Sequence, residues 1–376
     1  SRSQKEIPEI NWYAGLAAWR IGEYKKAAEH FTRLSKAAFS ENDERAAGAF
    51  WAARCHIILG NDKKAVQFLN FARDQGLHFY AMLAERRLYG PIQISWIFSG
   101  GNGEEIEKLR NHKAVQRARA LNQIGRGEMG EGELLTLHGR LSSQLDSALI
   151  SLAESEGFAA LQIAVADEIR HDLTTGIMAV PAGLFPVPSY EPESGFTLDQ
   201  ALLLALIRQE SGFKRRAKSS AGARGLMQLM PTTAAFISKD KSLRRRTGRD
   251  KLYRDELNLD LGQEYLEIML KNETAKNNLV FALGAYNAGP GNMRRWFKDV
   301  QFDGDPLLFL ESLPVRETRH YLANVLTNLW AYRKRLGQDT PSLDALAAGL
   351  WPLYLSLDKN NGVKAEDKQA NATKPR

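Results

Sequence analysis

The heptapeptide Gly22-Glu-Tyr-Lys-Lys-Ala-Ala28 returns as Gly60-Asn-Asp-Lys-Lys-Ala-Val66, an offset of 38 residues. In the first copy the turn leads into Tyr24, Ala27, Ala28, Phe31 and Leu34, one apolar stripe at helical spacing. Ahead of it, Trp12, Leu16 and Trp19 recur the same way, and Ala14, Ala17 and Ala18 are small enough for a neighbouring helix to come close. Two helices per period of this length predict a tetratricopeptide-like solenoid. One pair cannot bury its own stripe, so pairs must stack. The pattern predicts further, degenerate helices near 114–124, 134–142, 145–156 and 161–170. The aromatic residues of the stripes read as core. An arc of this kind suggests binding rather than catalysis.

Pro181, Pro186, Pro188 and Pro192 place four of the 13 prolines within one short segment. Proline fixes φ and removes a donor, so no helix runs through it. The chain therefore divides into a helical solenoid over 1–180, a Pro-rich linker over 181–194, a second helical domain over 195–345 and a C-terminal extension over 346–376. From Lys359 onward the extension is polar and is expected to be disordered. The fold class is all-α.

At 376 residues, 44% hydrophobic and 25% charged, the chain has material for two or three buried cores. That excludes a mostly disordered protein. No apolar run approaches the ~18–20 residues of a membrane helix, so no integral membrane segment is expected. The single cysteine, Cys55, excludes an intrachain disulfide and a cysteine metal cluster, and reads as a small buried hydrophobe. Histidines 30, 56, 78, 112, 138, 171 and 320 show no metal-binding spacing along the chain. No glycine loop of the phosphate-cradling type occurs, and Gly100–Gly103 reads as a plain turn. Neither a metal nor another cofactor is expected. The net charge of +7 favours a polyanionic partner. Eight basic residues and two acids fall between Lys239 and Arg254, but without the interleaved aromatics of a nucleic-acid groove, so nucleic acid is not predicted. The chain opens Ser-Arg-Ser-Gln-Lys-Glu, without a charged-then-apolar leader.

The chemistry lies in the second half. Residues 198–210 form an apolar helix, and a projection at 100° per residue centres Glu210 on the stripe of Leu203, Leu206 and Ile207. Ser211-Gly212 then stops the helix. A carboxylate there faces the apolar side and the negative end of the helix dipole, and both raise its pKa toward what a general acid needs. The alternative is a helix end that bends into water. A turn rich in small residues, Ser219–Pro231, follows with Gly222 and Gly225, and sets polar Gln228 among Leu226, Met227, Leu229 and Met230. Another helix starts near Asn258. The apolar stretch from Phe281 ends in Tyr286-Asn287 and a Gly-Pro turn, and Glu311–Leu322 comes last.

Arg208-Gln-Glu-Ser211, Gly225-Leu-Met-Gln228, Ala285-Tyr-Asn-Ala-Gly-Pro290 and Leu313-Pro-Val-Arg-Glu-Thr-Arg-His-Tyr321, in this order, closely resemble the soluble lytic transglycosylases of bacterial cell walls. The resemblance covers about 195–335, and the Phe79-Tyr80 helix and Pro186–Tyr190 resemble that family's lead into its catalytic domain. It implies a mainly helical lysozyme-like fold similar to goose-type lysozyme. It also implies cleavage of the β-1,4 bond between N-acetylmuramic acid and N-acetylglucosamine, leaving a 1,6-anhydromuramic end. Glu210 would be catalytic. Ser211 and Gln228 would hydrogen-bond the glutamate or an acetamido group, with Gly225 in the same turn, and Met227 would pack beneath a sugar ring. Tyr286 and Asn287 would orient substrate, and Tyr321 would hold Glu210. Peptidoglycan strands would be the ligand, the periplasm the compartment, with the export signal absent from this chain. A cell-wall protein could occupy the solenoid. The long ring of helices in the largest family members is not carried over.

One carboxylate fits that chemistry. Asp199 lies eleven residues before Glu210, about 16 Å of helix, beyond the ~5–9.5 Å of a glycosidase pair. Asp255, Glu256, Asp260 and Glu264 sit in polar surroundings that suit solvated or capping roles. Glu317 and Arg319 read as an internal ion pair. Two other functions remain open: a muramidase that admits water, and a non-catalytic peptidoglycan-binding scaffold.

Overall fold

Gly22 and Gly60 take the left-handed backbone, with φ of +76° and +69°, and each ends one helix two residues before the next begins. In the computed structural model, which describes residues 8–37, 40–98, 100–172 and 178–358, these turns join α1 (Pro8–Arg20) to α2 (Tyr24–Ser35) and α3 (Asn42–Ile58) to α4 (Asp62–Arg73). The two helix pairs are the two copies of the sequence repeat. Phe31 and Trp51 are fully buried between them. Trp12 and Trp19 meet Trp51 edge-on with ring centroids 6.1 and 5.0 Å away, so the aromatic stripe is core.

Helix α5 (Phe79–Tyr89) leads through β1 (Ser95–Ile97) to α6 (Gly103–Arg110), α7 (Lys113–Gln123), α8 (Gly127–His138), α9 (Asp146–Glu156) and α10 (Ala159–Asp172). Two sequence expectations are corrected here. The 100–103 stretch is more than a turn, because Asn102 caps α6 in a capping box with Glu105. The helix expected over 134–142 instead spans Gly127–His138. Its glycines disfavour helix by propensity, yet Gly130 lies against the Ala118 carbonyl, where an added Cβ would come within 2.6 Å. Close packing of α8 on α7 outweighs propensity.

Strand β1 pairs in parallel with β2 (Ala179–Pro181), and no α-helix crosses the Pro-rich segment that follows. Then come α11 (Gln200–Ser211), α12 (Pro231–Ile237), α13 (Asp255–Lys271), α14 (Leu279–Ala288), α15 (Pro290–Asp299), α16 (Pro306–Ser312), α17 (Arg316–Arg335) and α18 (Pro341–Ala347). Among the described residues the architecture is all-α apart from that two-stranded ribbon. Every residue from Ala201 to Ile207 is buried, so α11 is wrapped on all sides and not along one stripe. Its main neighbour is the long α17. Asp199, just before α11, is fully buried and bonds Arg333 of α17 at 2.7 Å, while its other oxygen accepts from Ser356 and the Leu357 amide, each at 2.8 Å. The segment after α18 is thus strapped across the start of α11.

The basic stretch 239–254 folds into two short 3-10 turns on a small core of its own, where Leu243 and Leu252 pack with Leu229, Ala234 and Ile237. Helix α5 docks on the second half: Phe79 stacks on Trp330 at 5.3 Å, Arg86 pairs with Asp344, and Arg87 donates to the Ala347 carbonyl. Cys55 is fully buried, and burial pushes its thiol up to about 12. Among the described residues no helix is long and apolar enough to cross a membrane. The expectation for Lys359–Arg376 lies outside the described residues.

Candidate functional site

Glu210 occupies the last turn of α11, and Gly212, at φ +55°, stops the helix just beyond it. Its carboxyl is mostly buried. Burial pushes its pKa up to about 7, and a hydrogen bond from the Tyr321 hydroxyl to Oε1, 2.7 Å long, partly offsets the rise. The first effect removes solvent from the charged form, and the second favours that form. A carboxyl balanced in this way exchanges a proton near neutral pH.

The backbone of α11 is pinned by its own Arg208. That guanidinium donates to the Leu184 carbonyl at 2.8 Å and to Asn328 of α17 at 3.2 Å, and lies over the Phe185 ring. Tyr321 comes from the opposing α17 and is itself buried. Tyr286, at the end of α14, donates to the Met227 carbonyl at 2.8 Å and packs on Tyr265. Burial and the charge of Glu210 both raise the Tyr286 and Tyr321 hydroxyl pKa values, so both stay protonated and act as donors. Glu210, Tyr286 and Tyr321 form one group. Next to Tyr286, Asn287 accepts from Thr318 of α17 at 2.9 Å, which orients its amide.

The glycine turn is shaped by Asn258, a residue that sequence reasoning placed only at a helix start. Asn258 is fully buried. It accepts from the Met227 amide at 2.8 Å and donates to the carbonyls of Arg224 and Leu252, at 3.0 and 2.9 Å. Gly225 has φ +79°, and a Cβ there would come within 2.4 Å of both the Asn258 amide and the Leu252 carbonyl. Glycine is required for Asn258 to reach the turn. Gln228 adopts φ +47°, a strained choice for a non-glycine residue. Its amide holds it there by donating to the carbonyls of Ala217 at 3.1 Å and Gly225 at 2.8 Å.

Several placements differ from expectation. The Ser211 hydroxyl donates back to Ile207 within its own helix, and the donors of Gln228 are taken up by its loop, so neither is bonded to Glu210. Met227 has no exposed surface, and its thioether rests where Gly262 of α13 leaves room. The exposed methionine of the segment is Met230. Arg319 pairs not with Glu317 but with the Leu313 carbonyl. Residues two apart on a helix point to different faces.

The alternative carboxylates are engaged elsewhere. Asp199 is bonded to Arg333, as described. Asp255 pairs with Arg215, and burial raises its pKa to about 6. Asp260 accepts from the Ser194 amide. Glu256 and Glu264 are exposed.

The transglycosylase SLT domain family matches residues 189–308, the span that holds Glu210, the Gly225–Gln228 turn and Tyr286-Asn287. Within that span the chain is similar to the catalytic domain of lytic transglycosylases. A soluble lytic murein transglycosylase of Salmonella typhimurium is 29% identical over 300 residues, 79% of this chain and 45% of the relative. The enzyme of that name from Escherichia coli K12 is 39% identical over 150 residues, 40% of this chain and 23% of the relative. The crystal structure of the 70-kDa soluble lytic transglycosylase of Escherichia coli superposes with a TM-score of 0.71 at 24% identity, over 93% of this chain and 54% of that one. Its complex with bulgecin A gives the same TM-score at 25% identity. The chain thus spans about half the length, or less, of these larger lytic transglycosylases.

Proposed function

We propose that the chain is a peptidoglycan lytic transglycosylase. It cleaves the β-1,4 bond between N-acetylmuramic acid and N-acetylglucosamine and closes a 1,6-anhydro ring on the muramic acid. The observation that carries this reading is Glu210: a mostly buried carboxyl held near pKa 7, bonded by Tyr321, while the other carboxylates considered are paired, bonded or solvated.

Protonated Glu210 donates to the glycosidic oxygen as the bond to the anomeric carbon breaks, and N-acetylglucosamine departs. The carbonyl oxygen of the muramic N-acetyl group covers the cationic carbon. Glu210, now a carboxylate, takes the proton of the C6 hydroxyl, and O6 displaces the acetamido oxygen. One proton is given and one recovered, so the enzyme ends as it began. Attack from within the same sugar has the advantage of proximity over water. Tyr321 keeps Glu210 in place. Tyr286, Asn287 and the Gly225–Gln228 turn border the sugar, through backbone and amide groups, with Ser211 and Met227 supporting the walls. The boundary between binding arc and catalytic unit is assigned to 181–194. Exposed Ile10, Tyr13 and Ile21 on or just after α1 give the solenoid an apolar surface for a cell-wall protein, and the site of action is the periplasm.

Sacculi digested with the chain and with Glu210→Gln, then reduced with borohydride and weighed by mass spectrometry, test the proposal. Muropeptides one water lighter that resist reduction, absent with the variant, are expected. Reducible ends would make the enzyme a muramidase, and sacculus binding without release would make it a scaffold.

A further inference from the structure

We infer that His138, Asp146 and Glu168 form a binding site for a divalent transition-metal ion of the zinc class in the helical half of the chain. The three side chains come from three helices and are far apart in sequence: His138 ends α8, Asp146 begins α9, and Glu168 lies on α10, the last helix before the catalytic unit. His138 Nε2 is 3.5 Å from an oxygen of Asp146 and 3.4 Å from an oxygen of Glu168, and the ligand atoms of all three lie within 4.8 Å of one another.

The geometry suits a metal better than hydrogen bonds. One ring nitrogen carries at most one proton, so it can serve both carboxylates only through a bifurcated bond, weaker to each than a direct one. Both separations also exceed the ~2.9–3.0 Å of a good N–H···O bond. Ligands at about 2.0–2.1 Å from a tetrahedral zinc stand about 3.3–3.4 Å apart, which matches both edges at His138. Glu168 is exposed and long enough to close the third edge.

Burial and charge agree with this. His138 and Asp146 are 8% and 6% exposed, so two ligands are held in a dry setting, while the exposed side at Glu168 leaves a coordination position for water. Two carboxylates beside an imidazole are a donor set that attracts a dication. One nitrogen and two oxygen donors favour zinc-class ions over calcium or magnesium, which take oxygen ligands. The ion would tie the ends of three helices together next to the catalytic unit. It is structural and separate from the chemistry of Glu210.

The untagged chain, stripped with EDTA and dialysed, would be titrated with zinc sulfate by calorimetry, with bound metal measured by mass spectrometry. One zinc per chain is expected, with an affinity at least about tenfold weaker in Glu168→Gln and in His138→Gln. Saturating zinc should raise the melting temperature of the native chain by a few degrees and leave that of the variants unchanged. Because Glu168 is exposed, its variant stays informative even if His138→Gln does not fold. Two results would overturn the site: no stoichiometric zinc at micromolar concentration, or zinc binding that both variants leave untouched. A protonated imidazole shared by the two acids would give the first result.

Discussion

Glu210 and Glu311 are near twins. Burial pushes each up to about 7, and each accepts a hydrogen bond from a buried tyrosine, Tyr321 in one case and Tyr80 in the other. The difference lies in what stands behind them. The tyrosine on Glu311 belongs to α5 of the helical half and is itself held by the Trp51 indole at 3.0 Å, and Arg319 adds a positive charge beside the carboxyl. That carboxyl joins the two halves of the molecule. Glu210 has no cation among the groups that shift it, and its charge acts on the neighbouring Tyr286 at the end of α14. A raised pKa and a tyrosine partner do not by themselves mark a catalytic acid. What sets Glu210 apart is that it lies within the span that matches the transglycosylase domain, whereas Glu311 falls just outside it.

Activity should separate the two most widely. Glu210→Gln should lower turnover of sacculi by about 10³-fold or more, since one residue supplies both proton steps. Glu311→Gln should stay within about threefold. Equal losses in both would erase the distinction.

The pH profile should separate them again. The proposed acid must be protonated, so activity should fall as pH rises through about 7. Tyr321→Phe removes the bond that favours the charged form, which raises the pKa of Glu210 further. The alkaline limb should move up by as much as about one unit, with the remaining activity lower at every pH below it. The limb should not move in Tyr80→Phe. Steady-state rates from pH 5 to 9 give the answer.

Stability should treat the twins alike. Each glutamate has a folded pKa above its unfolded value of about 4.3, so between pH ~4 and ~7 the folded chain binds more protons than the unfolded one. Stability from this source is fully present at low pH and is lost as pH rises through the folded value. Glu210→Gln and Glu311→Gln should therefore each stabilise the chain at pH 8 by on the order of 2 kcal/mol, and far less at pH 4. Urea melts at the two pH values measure this. A smaller effect is expected for Tyr80→Phe, about 1 kcal/mol lost at the interface with activity unchanged.

The twins also mark what the sequence made legible. Glu210 could be read because its signals are local: a helix of leucines, a glycine stop and short motifs in order. The solenoid was legible for the same reason, since Gly22 and Gly60 punctuate a regular repeat. Contacts between distant residues were not. Glu311 meets Tyr80 across 231 positions, and Asn258 shapes the Gly225 turn from 31 to 34 positions away. His138, Asp146 and Glu168 have no shared spacing, so a search for local metal patterns passes over them. The packing of Met227 was hidden too, because Gly262, which leaves room for its thioether, lies far along the chain. The start of α8 lay outside the helix expected over 134–142, because close packing of Gly130 on α7 supports a stretch whose glycines have low helix propensity.

In the proposed mechanism the C6 hydroxyl of the substrate, and not water, takes the anomeric carbon. Digestion of purified glycan strands in water enriched in oxygen-18, with mass spectrometry of the released ends, asks which oxygen arrives. Anhydro ends with no oxygen-18 at the sugar are expected. Label at the anomeric carbon, acquired with each cleavage, would refute the ring closure and would require a second group to activate water.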